Sequence, residues 1–301
     1  MTAAERFAAA RPRLLRLAYS QLGDLAESED VVQEAWLRLD RAGADTIDDV
    51  DAWLTTVVAR LALDALRSAR SRRETYVGPW LPEPIVGAPV AAASSGEPAD
   101  PADRVTLDED VSFALLAVLE QLSPAERTAF VLHDVFDVPF AEVAQVVGRT
   151  PEAVRQLAAR ARRHVADQRP RHPSTAEEHA RLVQSFGTAV AEGDLRTLLE
   201  VLDPDVVFTA DGGGIALAAR KPVHGAERVA RAWLALARTA GSGARGGIVE
   251  VNGAAGLLLE LSGSSDRSLL AFTVDDGRII RIDVVRNPEK LRRVGSLPPG
   301  G

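Results

Sequence analysis

The sequence predicts a multidomain chain: two all-α modules, the second containing a helix-turn-helix, followed by an α+β domain. Three observations lead there. Apolar residues recur at helical spacing up to Arg73 and again from Leu107 to Val165, and a proline-rich stretch separates these runs. Only after Ser174 do strand-like runs appear, with Asn-Gly and Asp-Gly turns between them. With 301 residues, 46% of them apolar, the chain has material for more than one core.

The first module spans residues 1–75 and reads as three helices, FAAARPRLLRLAYSQLG, ESEDVVQEAWLRLD and DVDAWLTTVVARLALDALRSARSRR. In the last, Leu54, Val57, Val58, Leu61 and Ala65 form one stripe and leave the arginines largely off it. Residues 76–104 are a linker whose prolines at 79, 82, 84, 89, 98 and 101 bar any lasting regular element. The second module, 105–170, contains SPAERTAFVLHDVF, where Ser123 is an N-cap, Pro124 takes the first helical position and Glu126 completes a capping box. In the last domain, 174–301, STAEEHARLVQSFGTAVAEGD, LRTLLEVL and GAERVARAWLALART read as helices. DVVFTAD, GGIVEVN, AGLLLELS, SLLAFTVDD and RIIRIDVVR read as strands of a curved antiparallel sheet.

The chain has no Cys, which excludes disulfides, thiolate metal sites and a Cys nucleophile. No signal-peptide pattern opens it and no apolar run reaches membrane-spanning length, so a cytoplasmic protein without membrane partners is expected. The net charge of −8 is unevenly spread. Acids dominate from Asp24 to Asp51, whereas Arg60, Arg67, Arg70, Arg72 and Arg73 face only Asp64. A second basic block runs from Arg149 to Arg171 against Glu152 and Asp167. The cations are arginines apart from Lys221 and Lys290, and their clustering marks candidate nucleic-acid surfaces.

Residues 140–165 carry the most chemistry. Phe140, Val143, Ala144 and Val147 share one face, Gly148 breaks the helix, and Thr150-Pro151-Glu152 opens another. Small Ala144, then Gly148, then buried Val154 is the packing of a helix-turn-helix. If Val154, Leu157, Ala158, Ala161 and Val165 point inward, then Glu152, Arg155, Gln156, Ala159, Arg160 and Arg163 face out. Guanidinium and amide groups suit bidentate reading of guanine and adenine edges in a major groove, so DNA binding is the expected activity.

These motifs resemble the extracytoplasmic-function (ECF) sigma factors, which lend promoter specificity to bacterial RNA polymerase. SEDVVQEAWLRL is similar to the family's polymerase-clamp helix, and WLTTVVARLALDALRSARSRRE to the helix that engages the −10 element. Many members have Asn where this chain has Leu61. The resemblance implies that Asp30, Gln33 and Glu34 contact the β′ clamp helices of the polymerase core, and that Arg60, Arg67, Arg70, Arg72 and Arg73 meet promoter DNA at the −10 element. It further implies that Arg149, Thr150, Glu152, Arg155, Gln156, Arg160 and Arg163 read the −35 element.

Residues 177–286 resemble the SnoaL-like branch of the cone-shaped fold shared with nuclear transport factor and ketosteroid isomerase. Sigma factors of the subgroup with such a domain share the linker YVGPWLPEP and an NPxKL tail, here Asn287, Pro288, Glu289, Lys290 and Leu291. They often carry DGGGK where this chain has DGGGI, and the fused domain is expected to regulate activity without a separate membrane partner. Trp80, Leu81 and Pro82 are expected either to cluster on the first module or to dock beside Asp211, Gly212, Gly213 and the tail. The resemblance makes Asp211, His224 and Asp283 candidates for proton transfer, and Asp211 before three glycines reads as a turn residue. No catalytic residue, metal or cofactor is assigned. A small-molecule ligand of the cone stays open, as do a ligand-responsive repressor and an isomerase or cyclase with a DNA-binding appendage.

Overall fold

The computed structural model describes residues 2–73, 75–87, 111–261 and 266–297. These form two compact units. One holds the rest of both all-α modules, and the other joins residues 76–87 and Ser112–Ala114 to the described residues from Pro170 onward.

The helical unit begins with α1 (Ala3–Leu22), α2 (Leu25–Ala42) and α3 (Val50–Arg73). Thr2 and Glu5 form a capping box on α1, which ends at the left-handed Gly23; Asp24 then caps α2. After α4 (Phe113–Leu119), which joins this unit from Leu115, come α5 (Pro124–Phe130), a π-turn (Val131–Val135), α6 (Phe140–Val147) and α7 (Pro151–Gln168). The sequence predicts one helix from Pro124 to Phe136, yet the winding changes at Val131. Asp137 takes a positive φ of 55° and Pro139 offers no N–H, so the segment closes with Val138 N donating to Leu132 O at 2.9 Å.

The two α modules share one core. Leu14, Leu17, Leu39, Leu54 and Val58 are continuous with Leu119, Phe130, Val154 and Leu157, and α3 packs on α5 and α6 as well as on α1 and α2. A polar seam crosses this core. Arg127, 2% exposed, donates from Nε and Nη2 to Ser20 O, both at 3.4 Å, and from Nη1 to Glu120. Beside it Thr128 Oγ1 donates to Gln21 Oε1 at 2.9 Å.

The α+β unit contains α8 (Ala176–Glu192), α9 (Leu195–Val201), β1 (Leu202–Asp211), β2 (Val223–His224), α10 (Ala226–Ala240), β3 (Ala244–Val251), β4 (Ala254–Leu261), β5 (Arg267–Asp275) and β6 (Arg278–Val285). The strand order is β2-β1-β6-β5-β4-β3. Asn252-Gly253 and Asp276-Gly277 make the predicted hairpin turns with positive φ at all four residues. The sheet is mixed rather than antiparallel throughout, because β1 pairs with β6 in parallel. Helix α10 separates β1 from the β3–β6 meander, so β1 reaches the meander's far edge by a crossover instead of a hairpin.

Strand alternation gives the sheet two different faces. Phe208, Ala210, Leu257, Leu270, Phe272, Ile282 and Val284 share a core with Val183 and Phe186 of α8 and Val229 and Trp233 of α10. Phe186 meets Trp233 and Phe272 edge-on, and Phe208 meets Trp233 the same way, so aromatics fill this side. The opposite face carries Thr209, Asp211 and Asp283, all buried.

Arg127→Met should destabilise the helical unit by about 3–5 kcal/mol, because it strips the largely buried Glu120 carboxylate and the buried Ser20 carbonyl of this guanidinium. Adding Glu120→Leu should restore much of that loss. Urea unfolding of the full chain, followed by circular dichroism, checks both values.

Candidate functional site

The helix-turn-helix is built as its residues predict. Gly148 adopts φ 71°, its N–H donates to Ala144 O at 2.9 Å, and Thr150 Oγ1 caps α7 by accepting from Ala153 N at 3.3 Å. Val154, Leu157, Ala158, Ala161 and Val165 are buried, while Arg149, Thr150, Glu152, Arg155, Gln156, Arg160 and Arg163 are exposed. Arg155 lies 5.4 Å from the Phe140 ring centroid and 3.4 Å from Glu152. Arg160 Nε donates to Glu126 Oε1 at 2.8 Å, and Arg162 pairs with Asp134. Burial pulls the Glu126 carboxyl upward, but the Ser123 hydroxyl and amide and the Arg160 guanidinium outweigh it and hold the group below the usual carboxylate range.

On α3, Arg60, Asp64 and Arg67 are exposed. Arg67 pairs with Asp64 at 3.3 Å, and Arg60 Nη2 donates to Gln145 O at 3.3 Å. Arg70, Arg72 and Arg73 belong to the same helix, but their side chains lie outside the described residues. On α2, Val31, Val32, Ala35 and Leu39 are buried. Asp30 and Gln33 are exposed, and the half-buried Glu34 accepts from Arg38 Nε at 2.9 Å.

The segment YVGPWLPEP is docked on the outer face of the sheet. Leu81, Pro82, Glu83 and Pro84 are buried. Asp211, itself fully buried, is the anchor. Its Oδ2 accepts from Leu81 N at 2.9 Å and from Lys290 Nζ at 2.7 Å. Its Oδ1 accepts from Tyr76 Oη at 2.6 Å and from Gly213 N at 3.0 Å. Asn287 Nδ2 donates to Tyr76 Oη at 2.9 Å, and Lys290 Nζ also donates to Leu81 O while lying 3.8 Å from the Trp80 ring centroid. Burial pushes the Tyr76 phenol well above its ordinary range, and the adjacent Asp211 carboxylate adds to the shift.

Further along, Ile85 N donates to Asn252 Oδ1 at 3.1 Å, Asn252 N donates to Ile85 O at 2.8 Å, and Val86 bridges to Val251. The tail runs alongside: Leu291 and Val294 are buried, Pro288 is exposed, and Arg267 Nη1 donates to Val294 O at 2.6 Å. The glycine run makes the close approach possible. A Cβ on Gly213, whose φ is 64°, would lie 2.4 Å from Asn287 Nδ2, and one on Gly212 would lie 2.2 Å from Ala216 O.

Asp211 does open a turn, its Oδ1 accepting from Gly213 N two residues on, but it also ends β1, and its side chain binds the strip and the tail. The three proton-transfer candidates do not converge. Asp211 and Asp283 lie on the face opposite the helices, and His224 is exposed on β2. Asp283 accepts from Arg281 Nε at 2.6 Å; burial pushes its carboxyl up and the guanidinium only partly offsets this. The motifs include Tyr76, Lys290, Asn252 and Glu126, but motif reading does not show which groups their side chains bind. Rarity could have flagged two of them, since the chain has 2 Tyr and Lys290 is one of its few lysines.

Family models for Sigma-70 region 2 and Sigma-70 region 4 match residues 7–72 and 112–165 respectively. The chain is 44% identical over 295 residues to the ECF RNA polymerase sigma factor SigJ of Mycobacterium tuberculosis, covering 95% of this chain and 92% of that protein. It is 43% identical over 221 residues to the probable ECF RNA polymerase sigma factor SigI of the same species, covering 73% and 71%. The crystal structure of the M. tuberculosis extracytoplasmic function sigma factor SigJ superposes with a TM-score of 0.77 at 40% identity, covering 96% of this chain and 98% of that one. With both sigma regions matched in order and a relative aligned over nearly its whole length, the chain belongs to the ECF RNA polymerase sigma factors.

Proposed function

We propose that this sigma factor directs promoter-specific initiation by presenting α3 to the −10 element and α7 to the −35 element, with its own α+β domain regulating the process through the docked strip. The observation that carries the first part is the split of α7 into a fully buried face and an exposed row of Arg155, Gln156, Arg160 and Arg163. Arg60, Arg67, Arg70, Arg72 and Arg73 would contact DNA at the −10 element, where guanidiniums on phosphates release counterions. Asp30, Gln33 and Glu34, on the polar face of α2, would meet the β′ clamp helices of core polymerase.

The regulatory part rests on connectivity. YVGPWLPEP opens the covalent link between the two all-α modules, and its Leu81 and Trp80 engage Asp211 and Lys290. Whatever loosens that dock lengthens the free tether between the two DNA-reading modules, whose shared core would have to open for them to reach separate promoter elements. Burying a Leu and most of a Trp contributes a few kcal/mol at roughly 25 cal/mol per Å² of apolar surface, enough to bias a two-state arrangement.

Run-off transcription with core polymerase tests the assignment. Alanine at Arg155, Gln156 and Arg160 should abolish selection at the −35 element, each lost base contact costing about 1–3 kcal/mol. Alanine at Arg60 and Arg67 should flatten the salt dependence of promoter binding across sequences. Unchanged promoter selection and an unchanged salt slope would refute the docking assignment.

Trp80→Ala with Leu81→Ala should change run-off activity while both units keep their melting transitions, and should speed proteolysis between Tyr76 and Gly87. Equal activity and equal cleavage rates would make the strip an ordinary tether.

A further inference from the structure

The arginines of α7 are not presented alike. Arg155 pairs with Glu152 one turn away on the same helix, with both side chains more than half exposed, an ordinary loose surface pair. Arg160 is held from another helix. Glu126, in the first turn of α5, uses Oε2 to accept from Ser123 N at 3.2 Å and Ser123 Oγ at 2.6 Å, while its own N–H donates back to Ser123 Oγ at 3.3 Å. One oxygen of the carboxylate is thus fixed by the capping box, and the other accepts from Arg160 Nε at 2.8 Å. The Glu126 side chain is 20% exposed and that of Arg160 is 49% exposed. Among the described residues, Nη1 and Nη2 of Arg160 make no hydrogen bond.

We propose that Glu126 is a positioning residue for promoter recognition: by taking the Nε–H of Arg160 it fixes the guanidinium plane and leaves the terminal Nη pair as a fork for the O6 and N7 of a guanine in the −35 element. The inference rests on the reading of Arg160 as a base-contacting residue. Two physical effects follow from the geometry. An arginine tethered at Nε loses less side-chain freedom when its fork engages a base, so the matching base gains more than a mismatched one. The Glu126 carboxylate also opposes attraction to phosphates in general, so it lowers affinity for arbitrary sequence while raising discrimination. A purely structural acid would do neither.

The test uses the full chain with core polymerase and promoters carrying each base pair at each −35 position, scored by competition binding. Glu126→Gln is the informative variant, because Gln still serves a capping box and lacks the charge. It should keep the melting temperature of the parent and lower discrimination at one position by roughly five- to tenfold, the position also relaxed by Arg160→Ala. Affinity for non-promoter DNA should stay equal or rise, and the double variant should discriminate no worse than Arg160→Ala alone. Parental discrimination in Glu126→Gln, relaxation at a different position, or additive losses in the double variant would each overturn the inference while sparing the reading of Arg160. If Arg160→Ala leaves every −35 position unchanged, both fall.

Discussion

The Asp211 carboxylate is the contact on which the arrangement of the α+β unit depends. Its two oxygens accept from Tyr76, Gly213, Leu81 and Lys290, and its main-chain oxygen accepts from Arg286 N at 2.7 Å and Asn287 N at 3.0 Å. One residue at the end of one strand therefore ties together the glycine loop, the strip and the tail. A buried charge of this kind is tolerable only when every lone pair finds a donor, and its removal would leave Lys290 as a buried cation beside an aromatic ring. Strip and tail each complete the site that holds the other.

The two faces of the sheet divide the labour. The face toward α8 and α10 is filled by Phe186, Phe208, Trp233 and Phe272, and it supplies the stability of the domain. The opposite face carries polar side chains at strand positions and serves as a platform for other parts of the same chain. Carboxylates that would be candidate acids or bases by residue type are used here for binding and packing. In the helical unit the same economy appears at Arg127 and Glu126, where charged groups join helices that are far apart in sequence.

Much of this was legible in the sequence because the signals were local. The inward and outward faces of α7, the capping box at Ser123 and the two hairpin turns follow from spacing, and all are found where spacing places them. What was not legible depends on contacts between distant segments. Asp211 reads as a turn residue and as part of one of two expected docking surfaces, but the donors that make its carboxylate the anchor come from 130 residues upstream and 79 downstream. The parallel β1–β6 pair and the shared core of the two α modules are likewise consequences of topology, which periodicity does not encode. Glu126 was legible as a cap, but its grip on Arg160 spans 34 residues and required the turn of the helix-turn-helix to be folded.

Hydrogen exchange at the strip amides, followed residue by residue in the full chain and in Asp211→Ala, tests the central claim most directly. If the carboxylate is the anchor, the Leu81 amide exchanges slowly in the parent, and the substitution releases it together with Ile85 while Ile282 in the sheet stays protected. Equal protection of Leu81 in both proteins, or a Leu81 amide that exchanges in the parent as fast as an unstructured chain, would contradict the account.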